Sequence, residues 1–386
     1  MPGALAQNIL HWQQDHHQAQ IDLIRQFAEV ETPSDDPQTQ GAIYELLRQA
    51  IEAIDFQVMF LQGQNAGKQL FARPRSRQRH RPLQLLLGHC DTIWPIGTLH
   101  EMPIVTEADV MRGPGVYDMK AGLAQMIFAL RALQELGIKP AVTPLIFINS
   151  DEEIGSRQST REIRRLARIC NRSLVLEPSL GRSGLIKTAR KGVGRFTITA
   201  HGKAAHAGLD PESGASAILE LSHIIQQLFA LNDVEQGITV NVGTIDGGLR
   251  ANVVAPVSSA TADVRVLTHE DAQKIEQAIY GLQPSTPGVT LEIEGLIGRP
   301  PMEKTVANRA LWKLAKGFAH ELDFELEEGT AGGGSDGNTT SQYNATLDGL
   351  GAVGDGAHAH HEHIDLSLLP QRSALLCLLL MAPPIE

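Results

Sequence analysis

Five segments of this chain carry a histidine or an acid at, or just beyond, an apolar stretch that reads as a strand. They are LQLLLGHCD (83–91), GPGVYDMKAG (113–122), TPLIFINSDEEIGS (143–156), SLVLEP (173–178) and GAHAHHEHID (356–365). In open α/β sheets the ligand crevice lies outside the carboxyl ends of the strands. Histidines and carboxylates gathered at several such exits therefore suggest a bound metal. Two histidines with several carboxylates suit zinc or a similar borderline ion better than calcium, which takes all-oxygen sites.

The pattern between these segments alternates. Helical spacing over 7–30 runs to Thr32-Pro33, and a second helix is expected over 38–54. Strands follow at 84–89, 145–150 and 174–177, with an amphipathic helix over 122–137. This alternation predicts an α/β domain with a mostly parallel sheet. After about residue 190 the order becomes β-α-β-β-α-β, with strands at 192–202, 237–245, 257–267 and 288–295 and helices at 213–231 and 270–282. That is the split βαβ unit of ferredoxin-like domains. In the first of these helices Ile218, Leu221, Ile225 and Leu228 are expected on one face. Residues 1–190 and 300–386 are thus read as two parts of one catalytic domain, and 191–299 as an inserted domain. The glycine-rich run 329–340 lacks the Gly-Lys-Ser/Thr of a phosphate loop. It reads as a loop in close backbone approach to a ligand, with a flexible surface loop as the alternative.

Composition narrows the functional classes. The 386 residues carry a net charge of −11 with no Lys/Arg block standing out, so no nucleic-acid footprint is expected. The arginine run 73–81, flanked by proline, reads as a solvated turn, with phosphate binding as the lesser alternative. Three cysteines give no disulfide framework and fit a reducing, cytoplasmic location. The first residues lack a secretory pattern, although a signal already removed would leave no trace. No apolar stretch approaches a membrane span.

Each chemistry-bearing residue has a plainer reading beside the functional one. His89 and Asp91 share a face of an extended segment, and Cys90 points away as a small buried group. A carboxylate there can orient a metal-bound imidazole. Asp118 sits just before a helix, so capping is its plain explanation. Glu152 and Glu153 are adjacent acids after an apolar strand. They are electrostatically awkward unless a cation compensates one and the other handles a proton, or unless they serve a helix N-terminus. Glu177 repeats the strand-then-acid pattern. Among His358, His360, His361 and His363, spacing alone selects no ligand.

Taken together and in order from about residue 20 to 375, these segments resemble the zinc-dependent aminoacylase/carboxypeptidase family. That family includes glutamate carboxypeptidase, acetylornithine deacetylase and succinyl-diaminopimelate desuccinylase. The resemblance implies a dizinc catalytic domain interrupted by a lid or dimerisation domain, a homodimer, and two Zn²⁺ per subunit with Co²⁺ or Mn²⁺ as substitutes. It implies that His89 binds one zinc and that Asp91 braces it. Asp118 would bridge the ions, Glu152 would be the general base, Glu153 would bind the second zinc, and Glu177 would join His89. The family's last histidine precedes a Glu-aromatic pair by four residues. Glu362 then selects His358, but His363 stands where the aromatic belongs, which leaves His360 and His361 as alternatives. HGKAAHAG (201–208) resembles the segment whose histidine stabilises the oxyanion, here His206, in its own or a partner's site. RANVVAP (250–256) and ADVR (262–265) nominate Asn252 and Arg265 for the substrate's free carboxylate, with a surface salt bridge as the plain reading of Arg265. The expected activity is hydrolysis of an amide bond in an N-acyl amino acid or short peptide. Acetylornithine deacetylase-like or dipeptidase activity and a non-enzymatic metal-binding protein are the alternatives.

Overall fold

A computed structural model describes residues 3–63, 65–76 and 80–385. The arginine run 73–81 falls in part on residues 77–79, outside the described residues. The chain divides into two compact units. The first comprises Met1–Thr188, Lys304–Thr330 and Ser335–Glu386, and the second Ala189–Glu303 with Ala331–Gly334.

The first unit is built on a six-stranded sheet in the order 56–61, 69–74, 143–149, 83–89, 170–175, 345–347. The last four of these run parallel, and the first two add an antiparallel edge. Parallel strands covered on both faces must be apolar on both, and Leu83–His89 and Thr143–Asn149 are buried almost throughout. Leu86, Ile146, Ile148 and Leu174 pack on one side with helices Ala4–Asp15, Ala121–Glu135 and Leu369–Met381. On the other side, Leu85, Leu87, Phe147 and Val175 pack against Ile163 and Leu166 of helix Thr160–Ile169. The expected helix over 7–30 is two helices, Ala4–Asp15 and His17–Ala28. They break at His16, whose ring stacks on Trp12 and bonds the Trp12 carbonyl.

The second unit is a ferredoxin-like domain. Its strands Gly192–His201, Thr239–Gly247, Val257–Val266 and Thr290–Arg299 form one antiparallel sheet in the spatial order second, third, first, fourth. Helices Ala217–Ala230 and His269–Tyr280 pack against it. The expected apolar stripe on the first helix is corrected. Ala217, Leu221, Ile224 and Leu228 are buried, whereas Ile218 is 46% exposed. The face is rotated because Glu220 is also buried, accepting hydrogen bonds from Ser285 and Thr286.

The glycine-rich run is split between the units. A side chain on Gly332 or Gly333 would meet open space, so no close approach requires those glycines. Asp336 is buried instead and braces the first unit, as shown below.

Candidate metal centre

Parallel register brings the exits of strands 83–89, 143–149 and 170–175 side by side. His89 is paired with Asn149, and Leu87 with Val175. Extending that register two residues sets Glu177 beside His89, and the His89 Nε2 lies 3.5 Å from a Glu177 oxygen. The His89 ring is buried, with Nδ1 3.0 Å from the Asp91 carbonyl oxygen and 3.4 Å from its carboxylate. Nε2 is thereby directed at Asp118 and Glu177. Asp91 is itself held: Oδ2 accepts the Ser34 hydroxyl at 2.7 Å, and the carboxylate accepts the amides of Glu152 and Glu153 at 3.4 and 3.2 Å. One buried acid thus orients both the imidazole and the acidic turn.

Asp118 lies in a loop whose backbone is not helical at that residue. The helix that follows has no side-chain hydrogen bond at its N-cap, so the capping explanation fails. The close approach needed here is made at Gly122, where a Cβ would fall 2.0 Å from the Leu176 carbonyl oxygen. The Asp118 carboxylate faces two histidines: Oδ1 is 3.2 Å from His89 Nε2 and Oδ2 is 3.5 Å from His358 Nε2. His358 also lies 2.9 Å from a Glu153 oxygen. It holds a left-handed φ of 62°, a conformation costly for a residue with a side chain and often found where geometry serves a site. Among the described residues, His358 is the one of the four C-terminal histidines that reaches these acids. The His360 ring lies 5.7 Å from that of Trp94, and His363 bonds the His361 carbonyl.

Glu152 and Glu153 precede helix Thr160–Ile169 by a full turn region, so a helix N-terminus does not explain them. Their carboxylates face different neighbours. Donor atoms of His89, Glu152 and Glu177 lie within 4.8 Å of one another, as do those of His89, Asp118 and Glu153. Beneath the turn, Asn149 donates to Ser159 and Asp336 at 2.8 Å, and Ser156 donates to Asp336 as well.

The electrostatics fit a cation. Burial, then the charge of Asp118, pushes the Glu153 carboxyl up to about 7, opposed by His358. Burial alone would also raise Asp118, but the His358 and His89 imidazoles hold it well below the usual carboxylate range. Hydrogen bonds to Asp118 and Glu153 raise His358 to about 10. Burial would lower His89, yet Asp118, Asp91 and Glu177 raise it well above its ordinary value. Protons on two imidazoles neutralise the acids here, which is the charge that bound cations would supply.

Sequence reasoning used Glu362 only to single out His358 and missed how the site is supported. Glu362 is buried and accepts the amides of Gly115, Tyr117 and Asp118 and the indole of Trp94. Lys187 approaches the second Glu177 oxygen at 3.9 Å. A lone acid four residues past His358 was the signal for Glu362; Ser34 and Lys187 carried none.

The remaining predicted residues lie in the second unit. His206 is exposed, and its Nδ1 accepts the amides of Gly208 and Leu209 at 3.2 Å, so Nε2 carries the proton. The Asn252 carbonyl accepts the amide of Ala207 at 3.0 Å, which sets Asn252 beside His206. Arg265 is not brought to them. It sits opposite Val193 while Val257 sits opposite His201, and eight residues of strand span about 27 Å. Asn252 and Arg265 of one chain therefore do not form a single clamp. Arg265 makes a two-pronged ion pair with Asp263 at 2.7 and 3.0 Å.

A doubly covered parallel sheet with a buried histidine, a second histidine and several carboxylates gathered at its carboxyl edge defines a metal-dependent hydrolase. Residues 85–382 match peptidase family M20/M25/M40, and the chain belongs to that family. It is 26% identical over 374 residues to carboxypeptidase G2 of Pseudomonas sp. (strain RS-16), covering 95% of this chain and 90% of that one. It is 30% identical over 317 residues to a probable carboxypeptidase of Paracoccidioides lutzii (strain ATCC MYA-826 / Pb01), covering 74% of this chain and 69% of that one. Among solved structures, aminopeptidase PepT from Bacillus cereus ATCC 10987 superposes with a TM-score of 0.77 at 22% identity, over 95% of this chain and 98% of that one.

Proposed function

We propose that this chain hydrolyses an amide bond whose leaving amino acid carries a free carboxylate, as a glutamate carboxypeptidase-like enzyme or an N-acyl-amino-acid amidohydrolase. The observation that carries the reading is Asp118, whose two oxygens face different histidines at 3.2 and 3.5 Å. His89, Asp118 and Glu177 would hold one ion, and Asp118, Glu153 and His358 the other. Two zinc ions, or cobalt or manganese in their place, would polarise the scissile carbonyl and acidify the attacking water. Asp91 keeps the His89 ring turned so that Nε2 faces the site. Glu152 takes the water's proton and returns it to the leaving amine. His206, with Nδ1 committed as an acceptor, donates from Nε2 to the carbonyl oxygen as charge develops there. Asn252 and Arg265 bind the leaving carboxylate.

The second unit is the lid and dimerisation domain in this reading, and the enzyme a homodimer. Strand Thr239–Gly247 is a sheet edge with Ile245 61% exposed, which favours pairing with another chain. A partner subunit that supplies His206 and Asn252 would account for their separation from Arg265. A cytoplasmic location is supported by three buried, unpaired cysteines.

The test is hydrolysis of N-acyl amino acids and dipeptides by metal-loaded protein, each as the free acid and as the C-terminal amide. Free acids should be cleaved far faster, and Arg265→Ala should reduce kcat/KM for the acids while leaving the poor amides unchanged. A charge pair at a desolvated site is worth roughly 2–5 kcal/mol. Equal turnover of acid and amide by the wild type would refute the carboxylate requirement.

A further inference from the structure

Helix Thr160–Ile169 presents a run of arginines that the metal centre does not use. Arg157, Arg161, Arg164, Arg165 and Arg168 lie within one short stretch with Glu162 as its only acid, in a chain of net charge −11. Ile163, Leu166 and Ala167 turn into the core, and all five arginines are exposed. Arg165 pairs with Glu162 at 2.7 Å, and the Arg168 guanidinium lies 4.9 Å over the Tyr343 ring. Among the described residues no acid pairs with Arg157, Arg161, Arg164 or Arg168. The adjoining segment Ser341–Asn344 brings no acid either.

A solvated helix face normally interleaves its charges. Two other helices of this chain do so, with Arg48 between Glu45 and Glu52, and Lys274 one turn after Glu270. Like charges three and four residues apart repel and weaken a helix. The helix also starts close to the centre. It follows the turn of Glu152 and Glu153, the Thr160 amide bonds the Ser156 carbonyl, and the chain then runs back to the start of strand Cys170–Val175. The arginines thus form a row leading away from the metal ligands.

We propose that this row binds the acidic chain of a peptide substrate bearing several carboxylates, whose scissile end lies at the metal centre. Its position for the peptide end rests on the hydrolytic reading above; the binding itself does not. Arginines one helical turn apart recur about every 5.4 Å. Alternate side chains of an extended peptide recur about every 6.7 Å, within the reach of long side chains. Guanidinium forks match carboxylates in geometry.

The experiment measures binding of fluorescein-labelled hexaglutamate to the full chain by anisotropy, with labelled hexaserine and a six-phosphate single-stranded oligonucleotide as comparisons. Hexaglutamate should bind and hexaserine should not, and binding should weaken steeply with added salt. Replacing Arg161, Arg164 and Arg168 together by Ala should weaken hexaglutamate binding at least about tenfold, while replacement by Lys should retain most of it. Both variants should hydrolyse a small single-carboxylate substrate at the wild-type rate. Unchanged hexaglutamate binding by the Ala variant overturns the proposal. So does an oligonucleotide that binds the row more than tenfold tighter, because the face would then read phosphate. Arginine-dependent binding without hydrolysis of any acid-terminated substrate would sink the hydrolytic reading and leave the acidic-peptide binding of the row standing. Hydrolysis without such binding would do the reverse.

Discussion

The Glu362 carboxylate accepts the backbone amide of Asp118 at 3.0 Å. The same carboxylate accepts the amides of Gly115 and Tyr117 at 2.9 Å. It therefore ties the C-terminal segment carrying His358 to the loop carrying the acid that His358 faces. A residue 244 positions away sets where the loop stands.

Glu362→Ala should loosen that loop. It would leave three amide donors without that acceptor, two of them buried, and each buried loss costs about 1–3 kcal/mol. Thermal unfolding of the metal-free variant should show a lowered Tm, and metal titration a weakened affinity. A variant with wild-type Tm and metal binding would show that the loop holds itself.

Glu152→Gln should abolish turnover and keep metal content near that of the wild type. Its carboxylate is close to His89 and Glu177, while Glu153 is the partner of His358. Removal of a general base typically costs about 10²–10⁴-fold in rate. Metal analysis beside steady-state kinetics decides: loss of metal in this variant would exchange the roles of the two glutamates.

His358→Ala should lower metal occupancy, and His360→Ala, His361→Ala and His363→Ala should lower it much less. Only the first of these side chains approaches Asp118 and Glu153 among the described residues. Equal metal loss in all four would point to a loose histidine cluster instead.

The metal-free protein should lose stability as pH rises. His358 is raised to about 10 in the folded chain, so its contribution is complete below about 6.5 and is lost as pH climbs through 10. Glu153 is raised to about 7, so between its ordinary range and about pH 7 the folded state again binds more protons than the unfolded one. Both groups push in the same direction. Metal binding at neutral pH must displace these protons, so its apparent affinity should increase with pH. Tm measured across pH 6 to 10, with and without metal, checks the sign; a metal-free Tm rising over that window would contradict it.

Much of the site was legible because a strand that ends in an acid is a local pattern. His89, Glu177 and the Glu152-Glu153 turn come together as parallel register requires once the strands are recognised, whereas Asp118 is brought to them by the loop that Glu362 holds. Their supports were not legible, since Ser34 and Lys187 reach the site through contacts that no spacing encodes. The arginine face escaped notice for a different reason. Its charges are spaced at three and four residues and so form no contiguous block; they share a surface only once the segment is a helix.

By itself, the sequence determined the strand-helix alternation, the ferredoxin-like order of the inserted segment and the acids and histidines at the strand exits. These follow from periodicity and short motifs, which act over a few residues. Tertiary structure alone decided which face of helix Ala217–Ala230 is buried, and it set His358, which the count to Glu362 favoured, against Asp118. It also decided that Asn252 and Arg265 stand at opposite ends of one sheet. Each of these depends on where distant segments pack: Glu362 under the Asp118 loop, Ser285 and Thr286 over Glu220, and the strand register between Val257–Val266 and Gly192–His201.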